Sequence, residues 1–183
     1  MTVGILSSAF SLAQFASSPF LGALSDRIGR RPVILFNILG SALAYYLFGF
    51  AGTLALLMGA RVLEGITGGS ISTSQAYIAD VTPPEERMKR FGLIGAVFGV
   101  GFVFGPAFGG FLSTFSLAAP AYAAGTLCLL AAIFGYFLLP ESLPLDRRNK
   151  TPLSLGDFNP FKQIIAALRR DSIRAVLIAI FFV

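Results

Sequence analysis

The stretch Gly22-Ala-Leu-Ser-Asp26-Arg27-Ile-Gly29-Arg30-Arg31-Pro32 decides the fold of this 183-residue chain. It is short and charged, and it lies between two long apolar runs. A connection this short joins two neighbouring antiparallel helices. Its arginines must lie in water or among lipid headgroups, because an arginine in the middle of a bilayer costs roughly 2.5–3.5 kcal/mol. The stretch therefore predicts the tip of a membrane hairpin.

Composition places most of the chain in lipid. Hydrophobic residues make up 55% of it and charged residues only 13%, whereas soluble domains carry about 25% charged residues. The net charge of +5 does not indicate nucleic acid binding, because the cations cluster between apolar runs rather than along one basic face. The absence of histidine and the single cysteine argue against a metal site, a cofactor or a membrane enzyme.

Five apolar runs are long enough for a spanning helix, which needs about 20 residues. They cover residues 3–24, 33–51, 54–79, 91–112 and 117–139. A further apolar run occupies residues 172–183. The sequence thus predicts an all-α, polytopic transmembrane helix bundle.

Thirteen of the 14 lysines and arginines fall in three stretches: residues 25–31, residues 82–90 and the segment after Pro140. The intervening connections at 51–53 and 113–116 contain none. By the positive-inside rule, the three basic stretches lie on the cytoplasmic side. The chain then starts on the outer side, which predicts another helix ahead of it.

The longest polar segment covers residues 140–171 and is predicted to be a cytoplasmic loop. Its part from Phe161 to Arg170 alternates apolar and basic residues at helical spacing. Two interpretations stay open for this part: a short helix in the membrane interface, or an ordinary polar linker with one helical turn.

Particular residue types in the opening turn suggest particular roles. Gly22 permits close approach of another helix, and Asp26 can accept hydrogen bonds from backbone N–H groups at a helix end. Gly29 allows a turn with positive φ. Arg30 and Arg31 are available to pair with acids elsewhere.

Asp80 ends the third apolar run at the membrane face where Arg30 lies. Two helices that both end there can pair Asp80 with Arg30 or Arg31. The alternative is a solvated aspartate at the start of a loop.

Arg61 and Glu64 are the charges well inside a run, and their spacing of three residues puts them on one helix face. Intramembrane charges are functional candidates, and a self-neutralising pair that bridges helices is the alternative. The small and hydroxyl residues that follow, up to Gln75, suit close packing as well as a polar passage. Gln14 lies among serines on one face of the first run, toward a cavity or a neighbouring helix.

The fourth run is dense in glycine and contains a proline. Glycine costs about 1 kcal/mol in a helix interior, and proline removes a hydrogen bond and kinks the axis. This composition predicts a helix built for close approach and bending. The residues are Gly101, Gly105, Pro106, Gly109 and Gly110.

Together these motifs resemble the major facilitator superfamily, and more closely its drug:proton antiporters of the tetracycline-efflux type. The opening stretch is similar to that superfamily's loop between helices 2 and 3, and Arg61-Val-Leu-Glu64-Gly65 to its helix 4 motif. The segment from Gly101 to Gly110 resembles the antiporter motif of helix 5, and Pro140-Glu141-Ser142 the end of helix 6. The resemblance implies that the chain covers helices 2 to 6, the central loop and the start of helix 7.

The resemblance also implies roles. A latch at the cytoplasmic gate would comprise Gly22, Asp26, Arg27, Gly29, Arg30, Arg31 and Asp80. The cavity and the proton-coupling site would include Arg61, Glu64, Gln14 and Gln75, and the helix 5 motif would bend as the protein moves. Glu64 departs from the pattern, since many relatives have glutamine or an apolar residue there.

The implied function is efflux of small amphipathic compounds, such as tetracycline-like drugs, driven by the proton gradient without a cofactor. The implied partners are the lipid bilayer, a small-molecule substrate, and the first helix and second half of the same transporter. Three alternatives stay open: a symporter or facilitator for sugars or other metabolites, a truncated product that does not transport, and a structural or regulatory membrane subunit.

Overall fold

The computed structural model describes residues 2–68 and 70–150, without the side chains of Thr2 and Ser70. All regular secondary structure in these ranges is helical. The helices are α1 (Thr2–Ile28), α2 (Arg30–Phe50), α3 (Leu54–Thr67), α4 (Ser70–Val81), a short 3-10 turn (Pro84–Glu86), α5 (Arg87–Ser113) and α6 (Ala119–Leu138). The predicted interfacial helix at 161–170 and the apolar run at 172–183 lie outside the described residues.

The hairpin between α1 and α2 turns at one residue. Gly29 has φ +112°, a backbone conformation that side-chain-bearing residues rarely adopt. Its N–H still donates to the carbonyl of Ser25 at 3.2 Å, so α1 remains hydrogen bonded to its end. The positive φ predicted for Gly29 is confirmed.

The third apolar run is described as two helical segments, α3 and α4, which lie on either side of residue 69. Thr53 caps α3 by accepting a hydrogen bond from the N–H of Leu56 at 3.3 Å. At the other end the N–H of Gly68 donates to the carbonyl of Glu64 at 2.7 Å, which is the spacing of an α-helical turn.

Four helical stretches among the described residues are long and apolar enough to cross a membrane. They are Arg30–Phe50, Leu54–Val81 as one unit, Pro84–Ser113 and Ala119–Leu138. The 27-residue helix α1 is long enough, but it is not among the four. Serines and Gln14 along α1 lower its mean hydropathy.

The packing is uneven across the bundle. The most extensive contacts are those of α2 with α6 and of α1 with α3, and α2 also packs on α4. Buried apolar positions include small residues such as Ala42, Ala60 and Ala132, which let helix backbones approach closely in membranes. Large apolar side chains, Phe102 and Phe137 among them, point outward. No described residue of α5 is buried.

Candidate functional site

Arg30, the first residue of α2, connects three helices. Its Nε donates to Asp80 Oδ2 of α4 at 3.1 Å, and its NH1 lies 2.5 Å from Asp26 Oδ1 of α1. The same NH1 donates to Ser25 Oγ at 2.6 Å. The Arg30 side chain is only 12% exposed, so these contacts replace most of its hydration. One guanidinium thus satisfies two carboxylates from different helices.

Glu141, which follows α6, contacts the same place. Its Oε1 accepts hydrogen bonds from the backbone N–H of Arg30 at 2.8 Å and of Leu143 at 3.0 Å. Its Oε2 lies 3.7 Å from NH2 of Arg148. A carboxylate at the first N–H of a helix satisfies an unpaired donor and interacts favourably with the helix dipole. We call Asp26, Arg30, Asp80 and Glu141 together the charged hub.

Gly29 is required at the charged hub for a second reason besides its φ. A Cβ built on Gly29 would lie 2.3 Å from Glu141 Oε2 and 2.8 Å from NH2 of Arg148. Any side chain would therefore displace the carboxylate that caps α2. The turn and the cap require the same residue.

Two further hydrogen bonds hold the segment after α6 against the hub. Ser142 Oγ donates to Asp80 Oδ2 at 3.4 Å, and the N–H of Asn149 donates to the carbonyl of Asp26 at 2.8 Å. Tyr77 of α4 also donates to the carbonyl of Pro140 at 3.1 Å. The ends of α1, α4 and α6 and the start of α2 therefore meet at one end of the bundle.

The other residues of the predicted latch behave differently. Arg31 contacts no acid among the described residues; its NH2 donates to the carbonyl of Tyr136, and its guanidinium lies 5.5 Å from the centre of that ring. Arg27 lies in the last turn of α1. A Cβ at Gly22 would meet no atom of the described residues within 4 Å. The close approach of another helix at Gly22 stays a prediction.

Arg61 and Glu64 form an ion pair within α3. NH1 of Arg61 lies 2.5 Å from Oε2 of Glu64, and the Glu64 side chain is 11% exposed. The pair also reaches α2: the Arg61 guanidinium lies 4.2 Å from the centre of the Phe48 ring, and the Tyr45 side chain interacts with Glu64. The arrangement is a self-neutralised pair that bridges two helices.

Gln14 lies in the contact between α1 and α3. Its Nε2 donates to the carbonyl of Gly68 at 3.2 Å, and Ser17 Oγ donates to the carbonyl of Gly65 at 3.2 Å. A Cβ on Gly65 would lie 2.5 Å from the backbone oxygen of Phe10, so α1 and α3 approach as closely as backbones allow. The polar face of α1 is thus used for packing against α3. Gln75, the remaining residue predicted for the cavity, is exposed on α4.

The helix 5 motif faces open space. Cβ atoms added at its four glycines would meet nothing within 4 Å. A cavity of about 980 Å³ lies between α4 and α5, and Gly101, Pro106 and Arg90 are among the residues that line it. The close contacts predicted for these glycines are absent from the described part of the chain.

Sequence reasoning named Glu141 only as part of the motif that ends helix 6, and did not assign it to the hub. The signal available was its position: like Asp80, it is an acid directly after an apolar run on the side where Arg30 lies. Tyr45 was missed as well, and its polar hydroxyl inside an apolar run was the available signal. Within residues 2–68 and 70–150, no group of histidine, cysteine, aspartate and glutamate could hold a metal ion.

Comparison with known proteins decides the family. The family model of the Major Facilitator Superfamily matches residues 1–183. The chain belongs to the Major Facilitator Superfamily. The resemblance proposed from the motifs is confirmed, and this superfamily chain is a multi-pass membrane protein of a transporter family rather than an enzyme.

Relatives within the superfamily include drug-resistance proteins. The chain is 43% identical over 180 residues to the tetracycline resistance protein, class C, of Escherichia coli, covering 98% of this chain and 44% of that protein. It is 33% identical over 164 residues to multidrug resistance protein 2 of Bacillus subtilis strain 168, covering 89% of this chain and 41% of that protein. The chain thus spans less than half the length of these relatives.

A solved structure shares the fold. The crystal structure of the human organic anion transporter MFSD10 (TETRAN) matches with a TM-score of 0.79 and 32% identity. The match covers 92% of this superfamily chain and 41% of the MFSD10 chain. The predicted fold class, an all-α partial major facilitator fold, is confirmed.

Proposed function

We propose that the full-length protein exports small amphipathic compounds, such as tetracycline-like drugs, across the cytoplasmic membrane in exchange for protons. The observation that carries this proposal is the 43% identity to a tetracycline resistance protein across 98% of the chain. The matched region comprises 180 residues of this chain. The first helix and the second half of the transporter are the proposed partners of this chain.

The charged hub supports a role as the latch of the cytoplasmic gate. In transporters of this kind the substrate site becomes accessible from one side at a time, as one repeat rocks against another. The hub joins the ends of α1, α2 and α4 through the Arg30 guanidinium and adds the end of α6 through the Arg30 backbone N–H. A movement of α4 along α2 breaks the contact of Arg30 with Asp80 while the contact with Asp26 persists. The latch therefore has a part that opens and a part that stays closed.

The Arg61–Glu64 pair supports a role in proton coupling. A proton bound to Glu64 neutralises the carboxylate and leaves the Arg61 charge uncompensated in a region of low dielectric constant. The uncompensated guanidinium then favours a new partner, either the substrate or an acid on another helix. Deprotonation restores the 2.5 Å pair. Glu64 would thus link proton occupancy to the position of Arg61.

The exposed helix α5 supports a role in the movement between the two halves. Its motif combines residues that can pack closely with a proline that allows bending, and no described residue of α5 is buried by the other described helices. We propose that the second half of the transporter contacts this surface. The cavity between α4 and α5 would then become part of the substrate pathway.

The proposal is tested with inside-out membrane vesicles from cells that express the full-length gene. Radiolabelled tetracycline is expected to accumulate when respiration acidifies the vesicle interior and to leave when nigericin collapses the pH gradient. Arg61→Ala is expected to abolish this accumulation. The matched control Arg147→Ala is expected to retain it, because Arg147 is exposed and is not among the residues that line the cavity between α4 and α5.

A second candidate function is export of organic anions, which the match to MFSD10 favours. Fluorescein, an organic anion, replaces tetracycline in the same vesicles. Gradient-dependent fluorescein accumulation without tetracycline accumulation would select this candidate. Gradient-driven sugar uptake into right-side-out vesicles would instead select a symporter.

A further inference from the structure

Helix α2 faces α3 and α4 through a series of side-chain contacts that run along its length, which we call the polar ladder. Each contact has a polar or charged member, and the helices are antiparallel. The contacts, from the charged hub inward, are Arg30 with Asp80 at 3.1 Å, Ser41 with Thr67 at 3.4 Å, Tyr45 with Glu64, and Phe48 with Arg61 at 4.2 Å.

The register of these contacts is regular. From Ser41 to Phe48 the chain advances seven residues, and from Thr67 back to Arg61 it retreats six. Arg30 and Asp80 continue the same register at the hub. Take one contact pair of the ladder and count the same number of residues along each helix in the same direction. The two residues reached in this way lie opposite each other.

Asn37 and Thr73 occupy such opposite positions. Asn37 lies seven residues after Arg30, and Thr73 lies seven residues before Asp80. Seven residues are two helical turns, so each side chain stays on its helix's contact face, about 10 Å from the hub. The two residues fill the long interval between the first and second contacts of the ladder.

Both side chains are enclosed but lack a protein partner. Asn37 is 0% exposed and Thr73 is 1% exposed. Asn37 Nδ2, Asn37 Oδ1 and Thr73 Oγ1 make no hydrogen bond to any group in the described part of the chain. Buried polar atoms in proteins are satisfied by protein groups or by ordered water. Val33, one turn nearer the hub, is 1% exposed, which separates this position from the water at the charged end.

We propose that Asn37 and Thr73 bind one water molecule between α2 and α4. The three polar atoms match the roughly three hydrogen bonds that a buried water makes. The water completes the polar ladder midway between the hub and the Arg61–Glu64 pair. It therefore keeps α2 in one register with α3 and α4. Because the register is fixed, the hub and the Arg61–Glu64 pair move together. Asn37 and Thr73 are positioning residues in this scheme, which does not depend on the identity of the substrate.

The first test measures thermal unfolding of the full-length protein in detergent. Thr73→Val keeps the shape but removes the hydroxyl, and it is expected to lower the unfolding midpoint by about 2–4 °C. Asn37→Leu is expected to do the same, whereas Thr73→Ser keeps the midpoint of the wild type. Thr114→Val, at the exposed end of α5, is the matched control and is expected to have no effect.

The double variant Asn37→Leu/Thr73→Val distinguishes a shared site from two separate ones. If the two side chains share one water, the unfolding midpoint of the double variant is expected to fall no further than that of the less stable single variant. The reason is that no buried polar atom is left unpaired in the double variant. A midpoint lowered by the sum of the two single effects would overturn the proposal. A midpoint unchanged in Thr73→Val would also overturn it.

The second test is a high-resolution structure of the full-length protein. A solvent peak within about 3.2 Å of both side chains is expected in the wild type and in Thr73→Ser, and it is expected to disappear in Thr73→Val. A direct hydrogen bond between Asn37 and Thr73, or a separate protein partner for each, would overturn the water site.

Discussion

Removal of the Glu141 carboxylate is the most informative perturbation of the charged hub. Glu141 accepts from the N–H groups of Arg30 and Leu143 at 2.8 and 3.0 Å. Hydrogen bonds to charged groups contribute about 1.5–3 kcal/mol when buried, and loss of a helix N-terminal cap costs about 1 kcal/mol. The side chain is 26% exposed, so water replaces part of the loss. We expect Glu141→Ala to lower the free energy of unfolding by about 1.5–2 kcal/mol.

Glu141→Gln separates the charge of the carboxylate from its geometry. The amide keeps an oxygen for the two N–H donors but loses the interaction with the helix dipole and with Arg148, so a loss of about 0.5–1 kcal/mol is expected. The control is Glu86→Ala, which removes an exposed pair with Arg90 worth about 0–0.5 kcal/mol. The purified full-length variants are heated, and the fraction of protein that remains monodisperse is measured at each temperature. The three curves give the thermal unfolding midpoints of Glu141→Ala, Glu141→Gln and Glu86→Ala.

The expected order of loss is Glu141→Ala, then Glu141→Gln, then Glu86→Ala. If Glu141→Ala and Glu86→Ala lose the same stability, Glu141 does not cap α2 and the reasoning is refuted. A glutamine variant less stable than the alanine variant would show that the oxygen acceptor is irrelevant. Gly29→Ala in the Glu141→Ala background supplies a cross-check, since the 2.3 Å clash with Glu141 is then gone, while the strain of positive φ and the 2.8 Å approach to Arg148 remain.

Three further predictions concern the membrane interior and the hub. Gly65→Ala places a Cβ 2.5 Å from a carbonyl oxygen of α1 and is expected to lower the free energy of unfolding by about 1–3 kcal/mol. Gly59→Ala, on the same helix with open space around it, is expected to raise it by about 0.5–1 kcal/mol. Thermal midpoints that shift in the same direction would contradict this contrast. Arg61→Ala leaves a buried carboxylate unpaired and is expected to lower the free energy of unfolding by about 3–5 kcal/mol. Adding Glu64→Gln is expected to restore most of this loss. A double variant less stable than Arg61→Ala would refute the pairing. Asp80→Asn removes a partner that is 28% exposed and is expected to cost about 1 kcal/mol; spin-label distances between the ends of α2 and α4 are expected to broaden, and an unchanged distribution would argue against a latch.

The sequence allows prediction of features that depend on local physics. Apolar run lengths located the helices, because the bilayer thickness fixes how many residues a span needs. The positive φ of Gly29 follows from a chain reversal between two runs. The ion pair of Arg61 and Glu64 follows from spacing on one helix.

Features that depend on which helix ends adjoin could not be predicted in the same way. Glu141 and Arg30 are 111 residues apart in the chain, and hydropathy gives where a helix ends but not its neighbours. The hydrogen bond from the Gln14 amide of α1 to the Gly68 carbonyl also depends on tertiary structure.

The exposure of α5 has a consequence for the assembly of the full-length protein. No described residue of α5 is buried, so its contacts with α4 and α6 contribute little to holding it in this bundle. With the second half of the transporter on this surface, as proposed, α5 would obtain most of its packing from helices that are synthesised later. A change of its glycines or its proline would then alter the joint between the two halves more than the stability of this one.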